Sequence, residues 1–378
     1  MQKVYLDHSA TTPVDKRVAD KMYETMTEKF GNPSSVHSFG RTAKQLMDEA
    51  RHIIAGMLKC EPSEIFFTSG GTEADNLALI GTVEPGEHLI TTAYEHHAVL
   101  YAAEYLQKNG RILTIVNPDK YGIIHPEAIK EAITAQTKLV SVMNINNEVG
   151  SINPIDKIAD VVKSRGILFH VDAVQSFGKI NIDLSQIPVD LLSLSGHKIY
   201  APKGIGALFI RKGTKITPRS YGGHHERGIR AGTENLPGIV GLAYAAQICQ
   251  DLMPQDQKNL RSLRNRLQKG IQSRFPDVTL NGHPTERLYS ICNLSFPGIE
   301  GETMLMSLDL AGIAVSTGSA CSSGSTAPSH VLTAMGLTTE QAHSSIRFSL
   351  GRSNSAEDID YTIEEVTKVV ERVKNMIL

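Results

Sequence analysis

The 378-residue sequence has few cysteines, and they follow no pattern. Cys60, Cys249, Cys292 and Cys321 lie far apart, and no two of them form a Cys-x-x-Cys pair. This spacing argues against a zinc site and against a disulfide framework, and it suits a reducing compartment. We therefore expect no metal ligands and a cytoplasmic location.

The sequence also lacks long apolar runs and a strong net charge. No apolar stretch approaches the about 18 residues of a membrane-spanning helix, and the N-terminus has no apolar core of a secretory signal. The net charge of −2 gives no general attraction to nucleic acid or to a membrane surface. We expect neither membrane insertion nor direct binding of nucleic acid.

What the sequence does have is an alternation of strand and helix patterns between about residues 60 and 210. Short apolar runs such as Ile167–Val171 alternate with helical spacing, which predicts a mainly parallel sheet covered by helices on both faces. After about residue 250 the pattern changes, and Gln255–Ser273 and Ala356–Ile377 show the spacing of amphipathic helices. We expect a large α/β domain followed by a smaller α+β domain.

Two charged residues follow predicted strands of this sheet. In such sheets ligands bind beyond the carboxyl ends of the strands. Asp172 and Lys198 both fall there, and pyridoxal phosphate (PLP) needs a lysine for its Schiff base and a carboxylate for its pyridinium nitrogen. Gln175 could bond the ring hydroxyl. Equally, Asp172 could cap a helix, Gln175 could be a polar helix residue and Lys198 could be an exposed loop lysine.

A glycine-rich turn is a candidate phosphate site. The segment Ser-Gly-Gly-Thr-Glu, which contains Gly71 and Thr72, follows a strand and opens a helix, where backbone amides attract an anion. The same pattern also suits an ordinary strand-to-helix turn with a threonine cap. Ser195 and His197, beside Lys198, could donate to the same phosphate.

Three further residues leave two interpretations open. His96, after another predicted strand, could stack on a cofactor ring or belong to a polar helix start. Asn147 lies in an asparagine-rich segment that could cap a turn or bond a ring hydroxyl. Arg347, flanked by apolar residues, could bind a substrate carboxylate with two parallel bonds or form a structural ion pair.

A second loop, at about residues 316–328, is rich in glycine and hydroxyl residues. Its flanking residues cannot bury Cys321, so we expect an accessible thiol that acts as a nucleophile, although an incidental loop cysteine would have the same pattern. Another glycine-rich segment, Arg227–Glu234, contains Thr233. It could bind an anion or contact another subunit.

Together these segments resemble the cysteine desulfurases, which are PLP enzymes related to the class-V aminotransferases, and in particular their NifS/IscS-like branch. The matching motifs run in family order along nearly the whole chain: Tyr5–Pro13, Phe30–Ser35, Thr68–Glu73, Glu95–Leu100, Asn146–Gly150, His170–Gln175, Ser195–Lys198, Arg230–Thr233, Ser319–Ser322 and Arg347–Gly351.

The resemblance implies a PLP fold-type I homodimer. Its large domain would span residues 16–250 around a mainly parallel seven-stranded sheet, and its small α+β domain would comprise residues 1–15 and 251–378. The resemblance also implies the site roles. For the PLP ring, Lys198 forms the Schiff base, Asp172 faces the ring nitrogen, His96 stacks on the ring, and Gln175 and Asn147 contact the ring hydroxyl or the substrate. The phosphate is held by Gly71, Thr72, Ser195 and His197, together with Thr233 contributed across the dimer interface, while Arg347 and Asn32 bind the substrate and Cys321 accepts sulfur.

The implied activity is conversion of L-cysteine to L-alanine, with the sulfur held on Cys321 as a persulfide. His96 would carry protons, and an iron–sulfur scaffold or a tRNA-thiolation enzyme would receive the sulfur. The chain ends at Leu378 without the long tail that some IscS-type members use for docking, so we do not expect that contact. The alternatives are a selenocysteine lyase, another fold-type I enzyme such as an aminotransferase, or an inactive scaffold in a sulfur-transfer complex. An aminotransferase needs no thiol, and an inactive scaffold needs neither Lys198 nor Cys321.

Overall fold

The computed structural model of the chain describes residues 2–317 and 327–377. Within these ranges the chain forms twelve strands, which are β1 (Val4–Tyr5), β2 (Ile65–Thr68), β3 (His88–Thr92), β4 (Ile112–Val116), β5 (Thr137–Met143), β6 (Leu168–Asp172), β7 (Leu191–Ser195), β8 (Gly206–Ile210), β9 (Thr279–Asn281), β10 (Ile291–Ser295), β11 (Ile313–Ala314) and β12 (Ser345–Ser349).

Eleven α-helices connect and cover the strands of the described ranges. No helix there is both long enough and apolar enough to cross a membrane. The helices are α1 (Lys16–Thr27), α2 (Ser38–Leu58), α3 (Gly71–Thr82), α4 (His97–Lys108), α5 (Pro126–Ala132), α6 (Ile155–Lys163), α7 (Leu236–Arg274), α8 (Gly301–Leu310), α9 (His330–Ala334), α10 (Thr339–His343) and α11 (Ala356–Ile377).

The largest sheet has seven strands in the order β2-β8-β7-β6-β5-β3-β4. Strand β8 runs antiparallel to both of its neighbours, and the other neighbouring strands run parallel. The predicted α/β fold with a mainly parallel seven-stranded sheet is confirmed. Because the parallel strands share one direction, their carboxyl ends meet at one edge of the sheet.

Both faces of this sheet are buried, as its apolar strands predict. Successive strand residues point to opposite faces. Leu191 therefore packs in the hydrophobic cluster that includes residues of α3 and α4, while Leu192 packs in the cluster that includes residues of α2, α6 and α7. Leu139 and Val140 divide in the same way. The polar groups that follow these strands are thus held at the sheet edge by a rigid core.

A second hydrophobic core gathers the C-terminal elements with the start of the chain. Strands β9, β10 and β12 form a three-stranded antiparallel sheet, and β1 pairs in parallel with β11. The predicted helix Ala356–Ile377 has the bounds of α11, whereas the predicted helix Gln255–Ser273 is only the second half of α7. The first half was missed because residues 236–246 are apolar on all sides and Pro254, inside the helix, resembles a stop signal. The predicted domain boundary near residue 250 falls within α7.

Candidate active site

A cavity of about 250 Å³ lies beyond the carboxyl ends of β5, β6 and β7. Seven separate segments of the chain supply its walls, because α3, the residue that caps α4, β12 and the N-terminal pair Ser9 and Ala10 also contribute. Ten of the residues predicted for the site line this cavity: Gly71, Thr72, His96, Asn147, Asp172, Gln175, Ser195, His197, Lys198 and Arg347.

One end of the cavity can hold an anion. Gly71 and Thr72 form the first turn of α3, whose leading backbone N–H groups have no partner within the helix. Ser195 ends β7, and burial followed by the charge of Lys198 lowers the pKa of His197 to about 4. The donors at this end are therefore backbone amides, hydroxyl groups and a neutral imidazole.

Close backbone packing fixes this anion site in place. At Gly206 on β8, a Cβ atom would lie 2.5 Å from the carbonyl oxygen of Leu194 and 2.7 Å from the Cα atom of Gly70. Both are backbone atoms, which cannot rotate away. Only glycine therefore lets β8 approach the turn that precedes α3.

Asp172 is the last residue of β6 and is buried. Its Oδ1 atom accepts a hydrogen bond of 2.8 Å from the Val174 N–H group. Burial raises the pKa of this carboxyl group to about 6, against the opposing effects of that bond and of the charge of Lys198. A second cation inside the cavity would favour the ionised form further.

Lys198 closes a short 3-10 turn directly after β7. Its ammonium group donates to the carbonyl oxygens of Ser9 at 2.6 Å and Ala10 at 2.8 Å. The Thr12 N–H group donates to the carbonyl of His197 at 2.9 Å, which ties the N-terminal segment to the same turn. The start of the chain therefore holds this amine at the cavity wall.

His96 is the residue that caps the N-terminus of α4. Its Nδ1 atom accepts from the Ala98 N–H group at 3.1 Å. Burial, with the charge of Lys198 next in size, lowers the pKa of His96 to about 4. The ring is therefore neutral at physiological pH and carries its proton on Nε2.

In the asparagine-rich segment, one residue caps a turn and its neighbour lines the cavity. The side-chain oxygen of Asn146 accepts from the N–H groups of Glu148 and Val149 at 2.9 and 3.0 Å, so Asn146 caps the turn. Asn147 lines the cavity. Pattern alone could not separate these two adjacent amides.

Arg347 forms an ion pair and also lines the cavity. Its guanidinium group forms a 2.7 Å ion pair with Asp7 and donates to the carbonyl of Asn147 at 3.0 Å. The side chain is buried and lines the cavity, and within the described residues its Nε atom has no hydrogen-bond partner. The ion pair thus leaves one N–H group for a further acceptor.

Two predicted residues of the described ranges do not line this cavity. Asn32 and Thr233 are exposed on the surface of the single chain. Cys321 lies outside the described residues. The segment that leads to it begins beside the site, because the backbone of Ser316 exchanges hydrogen bonds of 3.2 and 2.7 Å with that of Arg347.

Sequence reasoning missed Asp75, which also lines the cavity and is buried. Its Oδ1 atom lies 3.6 Å from Nε2 of His170. Burial and the charge of Asp172 raise the pKa of Asp75 well above its ordinary value, while burial lowers that of His170 to about 3. The helical spacing of Asp75 from Gly71 and Thr72 could have placed it on the same face of α3.

The comparisons with known proteins agree on one family. Residues 4–362 match the family Aminotransferase class-V. The chain is 48% identical over 377 residues to cysteine desulfurase IscS of Methanosarcina thermophila, which covers 99% of this chain and 93% of that protein. It is 48% identical over 381 residues to cysteine desulfurase IscS of Clostridium botulinum strain Hall, covering 99% and 96%. A solved structure of a NifS-like protein superposes with a TM-score of 0.91 at 38% identity, covering 98% of this chain and 100% of that one.

Proposed function

The chain belongs to the class-V aminotransferase family, and from this premise we propose that it is a PLP-dependent cysteine desulfurase. It converts L-cysteine to L-alanine and takes the sulfur onto Cys321. The observation that carries the proposal is the convergence of ten residues from six segments on one cavity. The relatives that match nearly the whole chain, which are named cysteine desulfurases, support the choice of reaction.

The cavity offers a complementary group for each polar part of PLP. The amine of Lys198 suits the aldehyde, and the buried carboxyl group of Asp172 suits the pyridine nitrogen. The start of α3, with Thr72, Ser195 and His197, suits the phosphate, while Gln175 and Asn147 suit the ring hydroxyl and His96 suits the ring face. When bound, PLP supplies an electron sink for the charge that develops at the substrate Cα.

The protein's own groups bind the substrate and move its protons. Arg347 binds the substrate carboxylate, with Asn32 assisting. Lys198 removes the Cα proton, and the carbonyls of Ser9 and Ala10 hold the resulting ammonium group. His96, kept neutral by burial, passes on any proton that it takes rather than retaining it.

Cys321 collects the sulfur. Its thiolate attacks the substrate sulfur, so an S–S bond forms and the substrate C–S bond breaks. The electron pair of the broken bond stays with the substrate carbon, which takes up a proton and leaves as part of alanine. Cys321 keeps the sulfur as a persulfide.

The test is incubation with L-cysteine, followed by assay of alanine and mass analysis of the protein. We expect alanine together with a mass increase of one sulfur on the peptide that contains Cys321. Cys321→Ser should abolish both while keeping the visible absorbance of bound PLP. Cys60→Ser is the matched control, because burial raises the pKa of that thiol to about 12 and makes it a poor nucleophile. Full activity of Cys321→Ser would disprove the assignment.

We also propose that two copies of the chain form the active enzyme. Phe30, Val36 and Phe39 are 65%, 89% and 56% exposed, and they flank Asn32. An apolar patch of this kind suits a protein interface. A dimer that covers it accounts for the exposure of Asn32 and Thr233 in the single chain.

Mixing Lys198→Ala with Thr233→Ala tests the shared site. Lys198→Ala removes the lysine from both sites of a dimer, and Thr233→Ala removes the threonine that would cross the interface. Mixed dimers contain one site with both groups and one with neither, so random exchange in an equal mixture should raise the activity above the mean of the two separate variants, by at most about a quarter of the wild-type level. If light scattering shows a monomer, or if dimers mix without recovery, the proposal fails.

The persulfide is passed to an acceptor protein, as in iron–sulfur cluster assembly or tRNA thiolation. The names of the relatives support sulfur delivery in general. Transfer of labelled sulfur from the persulfide form to a purified scaffold, compared with transfer to a purified thiolation enzyme, distinguishes the two acceptors.

A further inference from the structure

The side-chain amide of Gln175 lies between one neighbour that can only accept and one that supplies donors. Its Nε2 atom donates to the carbonyl oxygen of Ser9 at 2.9 Å, and its Oε1 atom accepts from Nζ of Lys179 at 2.7 Å. A carbonyl oxygen has no proton to donate, and a lysine ammonium group has no lone pair. The two contacts therefore fix the orientation of the Gln175 amide, with its nitrogen toward Ser9 and its oxygen toward Lys179.

The backbone after β6 brings Gln175 and Lys179 together. The Phe177 N–H group donates to the carbonyl of Ala173 at 2.8 Å, which forms a helical turn after the strand. Lys179 lies in the turn that follows, where its N–H group donates to the carbonyl of Ser176 at 3.0 Å. Gly178, with φ of 75°, leaves room for Ile199, whose Cγ2 atom would be 2.8 Å from a Cβ atom at that position. The turn therefore packs against the residue that follows Lys198.

We propose that Lys179 is a positioning residue that holds the Gln175 amide with an N–H group toward the cavity, where it donates to the ring hydroxyl oxygen of PLP. Gln175 is buried, lines the cavity, and has a second N–H on the nitrogen that bonds Ser9. Without Lys179 the buried Oε1 atom would lose its donor, and an unpaired buried carbonyl is costly. The amide would then rotate or shift. This inference rests on the proposed function, because PLP is the group that receives the bond.

The surroundings of Lys179 make it a donor rather than half of an ion pair. Burial, and next the charge of Lys198, lower the pKa of Lys179 to about 7, and the other groups that act on it are Cys249 and Arg347. Lys179 in turn contributes to the lowered pKa of His8. None of these neighbours is a carboxylate. Both the ammonium and the neutral amine carry N–H groups, and the Ser9 carbonyl, which can only accept, fixes the amide in either case, so the bond to Gln175 persists on either side of this pKa.

The test is a double-mutant cycle read on the bound cofactor. The variants are Gln175→Ala, Lys179→Met and the double variant, each loaded with PLP, and the measurement is the pH midpoint of the visible absorbance change. A donor bond withdraws electron density from the ring oxygen, so its loss should raise the midpoint. We expect a rise of about 0.5 to 1 pH unit in each single variant and no larger rise in the double variant.

Lys179→Arg separates positioning from a general effect of the mutation. It keeps N–H donors at the same position, so its midpoint should stay at the wild-type value. Additive shifts in the double variant would overturn the proposal, because they would show that Lys179 acts through its charge and not through Gln175. An unchanged midpoint in Lys179→Met would overturn it as well. If the wild-type protein takes up no PLP, the proposed function itself has failed, and this is a separate outcome.

Discussion

Replacing Asp172 by asparagine should change the stability of the cofactor-free protein and the affinity for PLP in opposite directions. Asp172 is 4% exposed, and burial raises the pKa of its carboxyl group from 3.8 to about 6. A shift of roughly two pH units corresponds to about 3 kcal/mol between the two protonation states. The folded chain therefore bears a cost of about this size when Asp172 ionises without a cofactor.

The sign of the pH dependence follows from the raised pKa. Because the folded state binds this proton more tightly than the unfolded state does, the stabilising contribution is fully present below about pH 3.8 and is lost as the pH rises through about 6. An asparagine side chain cannot ionise, but its oxygen can still accept from the Val174 N–H group. Cofactor-free Asp172→Asn should therefore exceed the cofactor-free wild type in stability by about 3 kcal/mol at pH 8, and the difference should vanish near pH 4.

The assay is urea unfolding of both cofactor-free proteins at several pH values, with PLP titrations in parallel. In the presence of PLP the wild type should be the more stable protein, because the variant offers no carboxylate to the ring nitrogen. If the cofactor-free variant is less stable than the wild type at pH 8, burial does not penalise the Asp172 charge and the reasoning is wrong. Asp183→Asn is a suitable control, since the hydrogen bond from Lys59 lowers rather than raises the pKa of that carboxyl group.

Three further changes have definite expected outcomes. Glu226→Ala leaves the buried Arg51 without its ion-pair partner, which lies 2.8 Å away in the wild type. The free energy of unfolding measured in urea should fall by about 3–5 kcal/mol, and equal stability of variant and wild type would contradict this. Arg347→Lys should raise KM for cysteine about tenfold or more, since an ammonium group cannot replace the guanidinium bonds; a change confined to kcat would count against substrate binding. Gly206→Ala forces a Cβ atom against the carbonyl of Leu194 and should lower the melting temperature and PLP affinity together, while Gly56→Ala, at a position with open space, should lower neither.

The elements that sequence reasoning located well are those with a strong local pattern. The apolar run of β6 and the amphipathic spacing of α11 were assigned within one residue of the observed bounds. Helix α7 shows the opposite case. Its first half packs in the core of the large sheet and its second half in the C-terminal core, so no single apolar face marks the whole helix.

The site residues differ in the same way: some have a local signal in the sequence and others have none. Asp172 and Lys198 could be predicted because each follows a strand, and parallel strands bring their carboxyl ends together. The contacts of Lys198 with the carbonyls of Ser9 and Ala10 had no local signal, since 188 or more residues separate the partners along the chain.

The sequence by itself determined the alternating sheet, the residue types at its carboxyl edge and the family to which they point, since all three depend on short-range patterns. Only the tertiary structure decided that Arg347 both pairs with Asp7 and faces the cavity, that Asn147 rather than Asn146 lines it, and that Lys179 and Ser9 orient Gln175. These outcomes depend on burial and on hydrogen-bond partners contributed by distant segments. Folding alone brings those segments within bonding distance.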